Sequence, residues 1–174
     1  MENGGDILDA RIAAIAAAVV EKFSAGGETV AGAESCTGGA AASAIVSIAG
    51  ASACFKGSAV CYCDGAKQKI LGVKARTLKK HFAESRECAE EMARGAMELY
   101  GADAAFATTG FLDANTGGKP QSLAGKVFAA IARKNADGEI RVNVERLELD
   151  PTAPRNFNRK KCVLKILTAL ENIG

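Results

Sequence analysis

The residues with the clearest chemical potential lie in a short polar turn between a strand-like and a helix-like segment. From Ala33 to Gly39 the chain reads Ala-Glu-Ser-Cys-Thr-Gly-Gly. A hydroxyl at such a turn can be a nucleophile, and a helix start offers unpaired N–H groups at the positive end of its dipole. In one interpretation Ser35 is that nucleophile, and Gly38 and Gly39 admit a ligand close to the backbone. In the other, Ser35 and Thr37 only cap the helix, and the glycines only let helix and strand pack closely.

A serine nucleophile also needs a group that removes its proton. The chain has a single histidine, His81, so a serine–histidine triad is hard to build, and a lysine or a tyrosinate is the expected base. Tyr62 lies at the end of an apolar strand and Lys67 one helical turn further on, at the sheet edge where Ser35 should lie. Lysine acts as a base at neutral pH only when it is desolvated or near other cations. The alternative for Lys67 is a solvated surface lysine.

Two arginines near the C-terminus have the spacing of an anion site. Arg155 and Arg159 are four positions apart at the start of the last predicted helix, so they share a face. Two guanidinium groups on one face can hold a phosphate or a carboxylate. Because positive charge is unfavourable at a helix start, their position favours an anion or an acidic partner there. Surface salt bridges are the alternative interpretation.

Composition excludes several classes of function. The net charge of the 174 residues is +2 and aromatic residues make up 5%, so neither a nucleic-acid partner nor a stacking platform for bases is expected. No apolar run approaches the ~18 residues of a membrane span. The six cysteines include no C-x-x-C pair, so we expect reduced thiols and no metal site. The polar start of the chain is unlike a signal peptide, so we expect a cytoplasmic protein with residues 1–6 disordered.

Strand and helix patterns alternate along the chain. Helical patterns cover residues 6–23, 40–48, 66–71, 86–100 and 158–172, with a helix or loop over 74–82. Strand patterns cover 28–33, 55–63, 102–109, 125–132 and 140–149, and a hairpin turn joins the last two. This order predicts one α/β domain over residues 1–174, with α/β/α layers around a mixed sheet. A polar, glycine-rich loop at 110–123 follows a strand end, where α/β folds place ligands.

Several of these motifs occur together in one known family. The first are the run Ala33–Gly39, Tyr62-x4-Lys67 followed by Ile70-Leu71-Gly72-Val73, and Leu78-x2-His81 with Ser85. The match continues with Met92-Ala93-x-Gly95-Ala96, Asp103-x-Ala105, Thr109-Gly110 and Arg155-x3-Arg159. From about residue 8 to residue 172 the chain resembles the C-terminal domain of the competence/damage-inducible protein CinA.

Stand-alone members of this family are nicotinamide mononucleotide deamidases. The resemblance therefore implies hydrolysis of the carboxamide of nicotinamide mononucleotide to nicotinate mononucleotide and ammonia, without a metal or organic cofactor. It implies that Ser35 is the nucleophile and Lys67 its general base, with Tyr62 in the same polar cluster.

The resemblance also assigns residues to substrate binding. The turn amides would hold either the tetrahedral oxyanion or, together with an arginine, the nucleotide phosphate. Two residues at a neighbouring strand end would line the pocket. The implied binding residues are Thr37, Gly38, Gly39, Thr109, Gly110, Arg155 and Arg159.

The chain departs from the family pattern on one side of the pocket. After Thr-Gly the family has Ile-Ala-Gly-Pro, whereas this chain has Phe111-Leu112-Asp113-Ala114, and an extra segment separates Pro120 from Gly125. An altered or lost activity is the alternative, in a CinA-like module that binds a nucleotide or a protein partner without turnover. A thiol enzyme that uses Cys36 is a third hypothesis. The alanine-rich helices and the exposed hairpin favour a homo-oligomer.

Overall fold

The computed structural model describes residues 4–173, and this part of the chain forms five strands and six α-helices in the predicted alternation. The strands are β1 (Val30–Glu34), β2 (Phe55–Val60), β3 (Ala104–Gly110), β4 (Lys126–Lys134) and β5 (Ile140–Glu148). The helices are α1 (Gly4–Gly26), α2 (Ala40–Val46), α3 (Asp64–Leu71), α4 (Ala75–His81), α5 (Arg86–Tyr100) and α6 (Arg155–Glu171).

The strands form one mixed sheet in the order β2-β1-β3-β4-β5. Strands β2, β1 and β3 run parallel, whereas β4 pairs antiparallel with β3 and β5 pairs antiparallel with β4. The register places Glu34 of β1 between Val60 of β2 and Thr108 of β3. The carboxyl ends of the three parallel strands therefore meet at one edge of the sheet, where α/β folds bind ligands.

Helices cover both faces of this sheet, and each face has its own apolar cluster. Helices α1, α2 and α6 contribute to one cluster, which includes Phe23 and Ile166. Helices α3, α4 and α5 contribute to the other, which includes Leu71 and Met92. Consecutive strand residues point to opposite faces, so the alanine-rich strands β1 and β3 supply both clusters. The predicted α/β/α layers with a mixed sheet are confirmed. None of the described helices is both long and apolar enough to cross a membrane.

Some element boundaries differ from those predicted. The backbone groups at a helix end lack partners within the helix, and the ends are only weakly marked in the sequence. Helix α1 begins at Gly4, so residues 4–6 form its first turn rather than part of a disordered segment, and residues 1–3 lie outside the described part. Strand β2 ends before residue 63, because Cys63 is the N-cap of α3. Helix α6 begins at Arg155, three residues early, directly after Pro154.

Close packing of α5 against α3 fixes the position of α3. A Cβ atom added at Gly95 would lie 2.0 Å from the carbonyl oxygen of Leu71. Only glycine therefore lets α5 approach the end of α3 this closely. Because α3 carries Lys67, this contact helps to hold that lysine at the edge of the sheet.

Candidate functional site

Ser35 directly follows β1 at the edge where the parallel strands end. Its N–H donates to the carbonyl oxygen of Thr108 at 2.9 Å, and the preceding carbonyl of Glu34 accepts from the N–H of Cys61 at 2.8 Å. The hydrogen bonding of the sheet therefore extends past the end of β1 on both sides. These bonds fix the backbone of a serine that is 9% exposed.

Lys67 lies in α3, and the structure brings it into direct contact with Ser35. Its Nζ donates to Ser35 Oγ at 2.9 Å and to the carbonyl oxygen of Cys61 at 2.9 Å. The side chain is 2% exposed, so the interpretation of Lys67 as a solvated surface lysine is wrong. The desolvation that a lysine base requires is therefore present at this position.

The carboxylate of Glu34 occupies the start of helix α2. Glu34 is fully buried, and no side chain of the N-cap residue Gly39 is available to cap the helix. A carboxylate at this place is stabilised by the free N–H groups and by the positive end of the dipole. Sequence reasoning missed this role, although a glutamate that ends an otherwise small and apolar strand was the available signal. The donors to Glu34 are Thr37 Oγ1 at 2.7 Å, the N–H groups of Gly39, Ala41 and Ala42 at 3.0, 3.1 and 2.9 Å, and Ser58 Oγ at 3.2 Å.

The roles expected for Thr37, Gly38 and Gly39 are corrected, because their polar groups bond within the turn. The Thr37 hydroxyl bonds to Glu34 and lies 2.6 Å from the hydroxyl of Thr108. The N–H of Gly38 donates to the carbonyl oxygen of the turn's own serine at 3.0 Å, and the N–H of Gly39 donates to Glu34. None of the three lines the cavity next to Ser35.

That cavity, of about 350 Å³, opens at the edge where the parallel strands end. We call Ser35 and Lys67 its floor, and Tyr62, Asp113 and Arg155 its mouth. Residues of the loop after β3 form much of its wall, as expected for a ligand site at a strand end. The two residues of the floor come from separate elements that only the parallel sheet brings together.

At the mouth, Arg155 bridges two residues that come from the segments after β2 and after β3. Its Nη1 donates to Asp113 Oδ2 at 2.8 Å, and its Nη2 donates to the Tyr62 hydroxyl at 3.0 Å. Tyr62 is 64% exposed, so its expected place in the polar cluster of the floor is corrected: it lines the same cavity but bonds to Arg155. The hydrogen bond from Arg155 lowers the pKa of Asp113, and the same bond raises the pKa of Arg155.

Three further residues expected to bind substrate have different surroundings. Thr109 is buried, and its hydroxyl donates to the carbonyl oxygen of Ala83 at 2.8 Å, so it supports a loop and does not line the cavity. Gly110 does line the cavity, with a φ of +143° and room for no Cβ, which would lie 2.3 Å from a neighbouring carbonyl oxygen. Arg159 turns back along α6 to the side-chain oxygen of Asn156 at 2.9 Å. The expected fork of two arginines is therefore not formed.

The thiol beside Ser35, that of Cys36, makes no hydrogen bond to a basic side chain among residues 4–173. Cys36 is 5% exposed, and its interaction with Cys162, together with burial, raises the pKa of the Cys162 thiol. The imidazole of His81 instead lies 3.5 Å from Glu87 and does not line the cavity. All six cysteines are free. Over the same range, no group of three or more His, Cys, Asp or Glu side chains could hold a metal ion.

Comparison with known proteins places this geometry among related chains. A family model described as the CinA C-terminal domain matches residues 12–173. A CinA-like protein of Mycobacterium sp. (strain JLS) is 40% identical over 97% of this chain, and one of Chlorobaculum tepidum is 44% identical over 68% of it. The chain spans 37% and 28% of the lengths of these two relatives.

Solved structures give the same result. The competence/damage inducible protein CihA of Agrobacterium tumefaciens superposes with a TM-score of 0.83 at 34% identity, covering 92% of this chain and 93% of the other. The competence damage-inducible protein A of Klebsiella pneumoniae superposes with a TM-score of 0.82 at 31% identity, covering 92% and 94%.

Proposed function

The chain belongs to the CinA C-terminal domain family, and we propose that it hydrolyses the carboxamide of nicotinamide mononucleotide or of a related compound. The observation that carries this proposal is the 2.9 Å contact between Lys67 Nζ and Ser35 Oγ on the floor of the cavity. A nucleophile and a base within hydrogen-bond reach are the geometry that covalent catalysis needs. The proposed reaction uses no metal and no organic cofactor.

In the first half of the reaction, Ser35 Oγ attacks the amide carbon and its proton passes to the amine of Lys67. The carbonyl oxygen becomes an oxyanion in the tetrahedral intermediate. When the carbon–nitrogen bond breaks, the leaving nitrogen takes the proton from Lys67 and departs as ammonia. The acyl group then remains as an ester on Ser35, and Lys67 has given up the proton that it accepted.

In the second half, water attacks the ester carbon and Lys67 accepts a proton from that water. The ester bond breaks, the proton returns to Ser35 Oγ, and the carboxylic acid product ionises in solvent. The carbonyl oxygen of Cys61, 2.9 Å from Lys67 Nζ, keeps the amine directed along the floor throughout. The net reaction consumes one amide and one water for each ammonia released.

The oxyanion also needs hydrogen-bond donors, and the turn leaves two. Among the hydrogen bonds of residues 4–173, none uses the N–H of Cys36 or of Thr37, whereas the next two N–H groups of the turn are occupied. Cys36 lines the cavity beside Ser35. Backbone N–H groups next to a nucleophile are common oxyanion donors, so the N–H of Cys36, the residue of the two that lines the cavity, takes that role in the proposal.

The proposal is tested by measuring ammonia release from nicotinamide mononucleotide and from nicotinamide riboside. Wild-type protein should turn over at least one of them, and Ser35→Ala should lose activity by roughly a thousandfold or more. Ser43→Ala, which removes an exposed hydroxyl from helix α2, is the matched control and should keep wild-type activity. Equal rates for wild type and Ser35→Ala would remove Ser35 from the mechanism.

A second candidate is a binding module without turnover, and one observation favours it. The only arginine that lines the cavity among residues 4–173, Arg155, is already bonded to Asp113 and Tyr62, so side chains of this protein already occupy the mouth. Calorimetry with the same two compounds would then show binding without any ammonia. Efficient turnover would exclude this candidate.

A further inference from the structure

More of the charged side chains that line the cavity are carboxylates than is expected of a site that binds a phosphate. Carboxylates come from Asp64, Glu84 and Asp113, and cations from Lys67 and Arg155. Lys67 belongs to the floor, where its amine bonds to Ser35. Arg155 is therefore the cavity-lining cation of the described residues that is placed to meet the far end of a bound substrate.

The guanidinium of Arg155 is occupied by a carboxylate of this protein. Asp113 accepts from Nη1 at 2.8 Å, and Tyr62 accepts from Nη2 at 3.0 Å. The Asp113 side chain is the better buried of the ion pair, at 20% exposure against 48% for Arg155. Its neighbour on the chain also holds it in place, since Asp113 Oδ1 accepts from the N–H of Asn115 at 2.9 Å.

A second cation beside the mouth is neutralised in the same way. The ammonium of Lys119 pairs with the carboxylate of Glu84, and it lies 5.2 Å and 6.0 Å from the ring centres of Phe82 and Phe111. Both basic groups near the cavity opening therefore have an acidic partner that lines the cavity. An incoming anion would have to displace a carboxylate and then remain next to it.

We propose that Asp113 is a specificity-determining residue, which makes the site select an uncharged or cationic carboxamide over one that bears a phosphomonoester. This inference rests on the proposed amide hydrolysis and names its substrate class. A phosphomonoester carries a charge of about −1.5 to −2 at neutral pH, and like charges placed side by side oppose binding strongly. A cationic ring such as that of a nicotinamide riboside meets no such penalty, because carboxylates attract it.

The test compares nicotinamide mononucleotide with nicotinamide riboside, which differ only by the phosphate. The ratio of their kcat/KM values should be near or below one for wild type and should rise by about tenfold in Asp113→Asn. Asp64→Asn removes a carboxylate of the same cavity that does not contact Arg155, and should change the ratio by less than about threefold. The double variant Asp113→Asn/Arg155→Met should not show this rise in the kcat/KM ratio.

Binding of ribose 5-phosphate, measured by calorimetry, gives a readout that is independent of turnover. Asp113→Asn should bind it about tenfold more tightly than wild type. Equal affinity, or an equal gain in Asp64→Asn, would overturn the inference. If Asp113→Asn gains this affinity but no variant releases ammonia, the amidase proposal fails while the role of Asp113 at the mouth stands. If ammonia is released and neither the kcat/KM ratio nor the affinity for ribose 5-phosphate responds to Asp113→Asn, the amidase proposal stands and the role of Asp113 at the mouth fails.

Discussion

The floor and the mouth of the cavity are built in different ways. The floor joins Ser35 and Lys67, both buried, and the backbone around Ser35 is tied to both neighbouring parallel strands. The mouth joins Tyr62, Asp113 and Arg155 by hydrogen bonds between side chains. Of these residues, Tyr62 is 64% exposed and the side chain of Arg155 is 48% exposed.

This difference has an energetic consequence. A buried polar group that loses its partner keeps the full cost of its burial, commonly ~1–3 kcal/mol, so the floor has a single favourable arrangement. An exposed ion pair contributes ~1 kcal/mol or less, so the mouth can exchange one partner for another. The floor is therefore suited to fix the chemistry, and the mouth is suited to choose the substrate.

The largest effect should come from the floor, in Lys67→Met. We expect kcat/KM to fall by roughly a thousandfold, because Ser35 loses the group that accepts its proton. Methionine fills similar space but leaves Ser35 Oγ and the carbonyl oxygen of Cys61 without the donor that they share, so the midpoint of thermal unfolding should fall by roughly 2–10 °C while the protein stays folded at assay temperature. An activity assay combined with circular dichroism checks both statements. A variant that is fully folded and retains wild-type activity would show that the floor does not perform the chemistry.

The next largest effect concerns Glu34, the residue before Ser35, whose carboxylate caps helix α2. Glu34→Ala should lower the free energy of unfolding by about 3–5 kcal/mol, because it leaves several buried donors at the start of α2 without an acceptor. Denaturant unfolding measures this cost. In the matched control, Glu148→Ala removes a glutamate whose ion pair with Arg146 is half exposed on each side, and the cost should be ~1 kcal/mol or less. Similar costs for the two variants would remove the assigned role of Glu34.

A smaller effect is expected at the mouth, and it depends on pH. Arg155 lowers the pKa of Asp113 below its usual 3.8, so the ionised carboxylate stabilises the folded state at any pH well above 3.8. The difference in unfolding free energy between wild type and Asp113→Asn should be ~1 kcal/mol or less and constant from pH 8 to pH 5. It should decline as the pH falls below 4 and through the lowered pKa. A difference that grows on acidification would contradict this linkage.

The smallest effect should come from the thiols. Cys36→Ala should keep activity within about threefold of wild type, because this thiol contributes packing and takes no part in the proposed reaction. Alkylation should reach the exposed Cys63 first without affecting turnover. The thiol of Cys88, whose pKa burial raises to about 12, should resist modification at neutral pH. Peptide mapping after treatment with iodoacetamide checks the order of reaction, and loss of activity in Cys36→Ala would reopen the thiol hypothesis.

The layers, the sheet and the edge that carries the floor were predictable from the sequence because each depends on regular structure. Apolar periodicity marks the strands and helices, and the carboxyl ends of parallel strands gather at one edge. Ser35 directly follows β1, and Lys67 lies one turn into α3, the helix that follows β2. Topology therefore predicts that both residues lie at one edge of the sheet, but it left open whether Lys67 is buried there or exposed to solvent.

The mouth and the support from Glu34 were not predictable in the same way. The ion pair of Asp113 with Arg155 joins an irregular loop to a helix 42 positions away, and no periodic pattern fixes how such a loop folds. Tyr62 and Arg159 are exposed, and an exposed polar side chain gains little free energy from any one partner, so their sequence spacing did not determine which residues they contact. Glu34 was missed because its side chain caps a helix that begins six residues later.

Ser35 and Lys67 act as one catalytic unit in the proposed reaction, and this is tested by kcat/KM of the double variant Ser35→Ala/Lys67→Met beside the two single variants. If the two residues serve the same step, the double variant should be no slower than the slower single variant, since the first substitution already removes the contribution of both. If instead the double variant is slower by the product of the two single effects, Ser35 and Lys67 do not act as one catalytic unit.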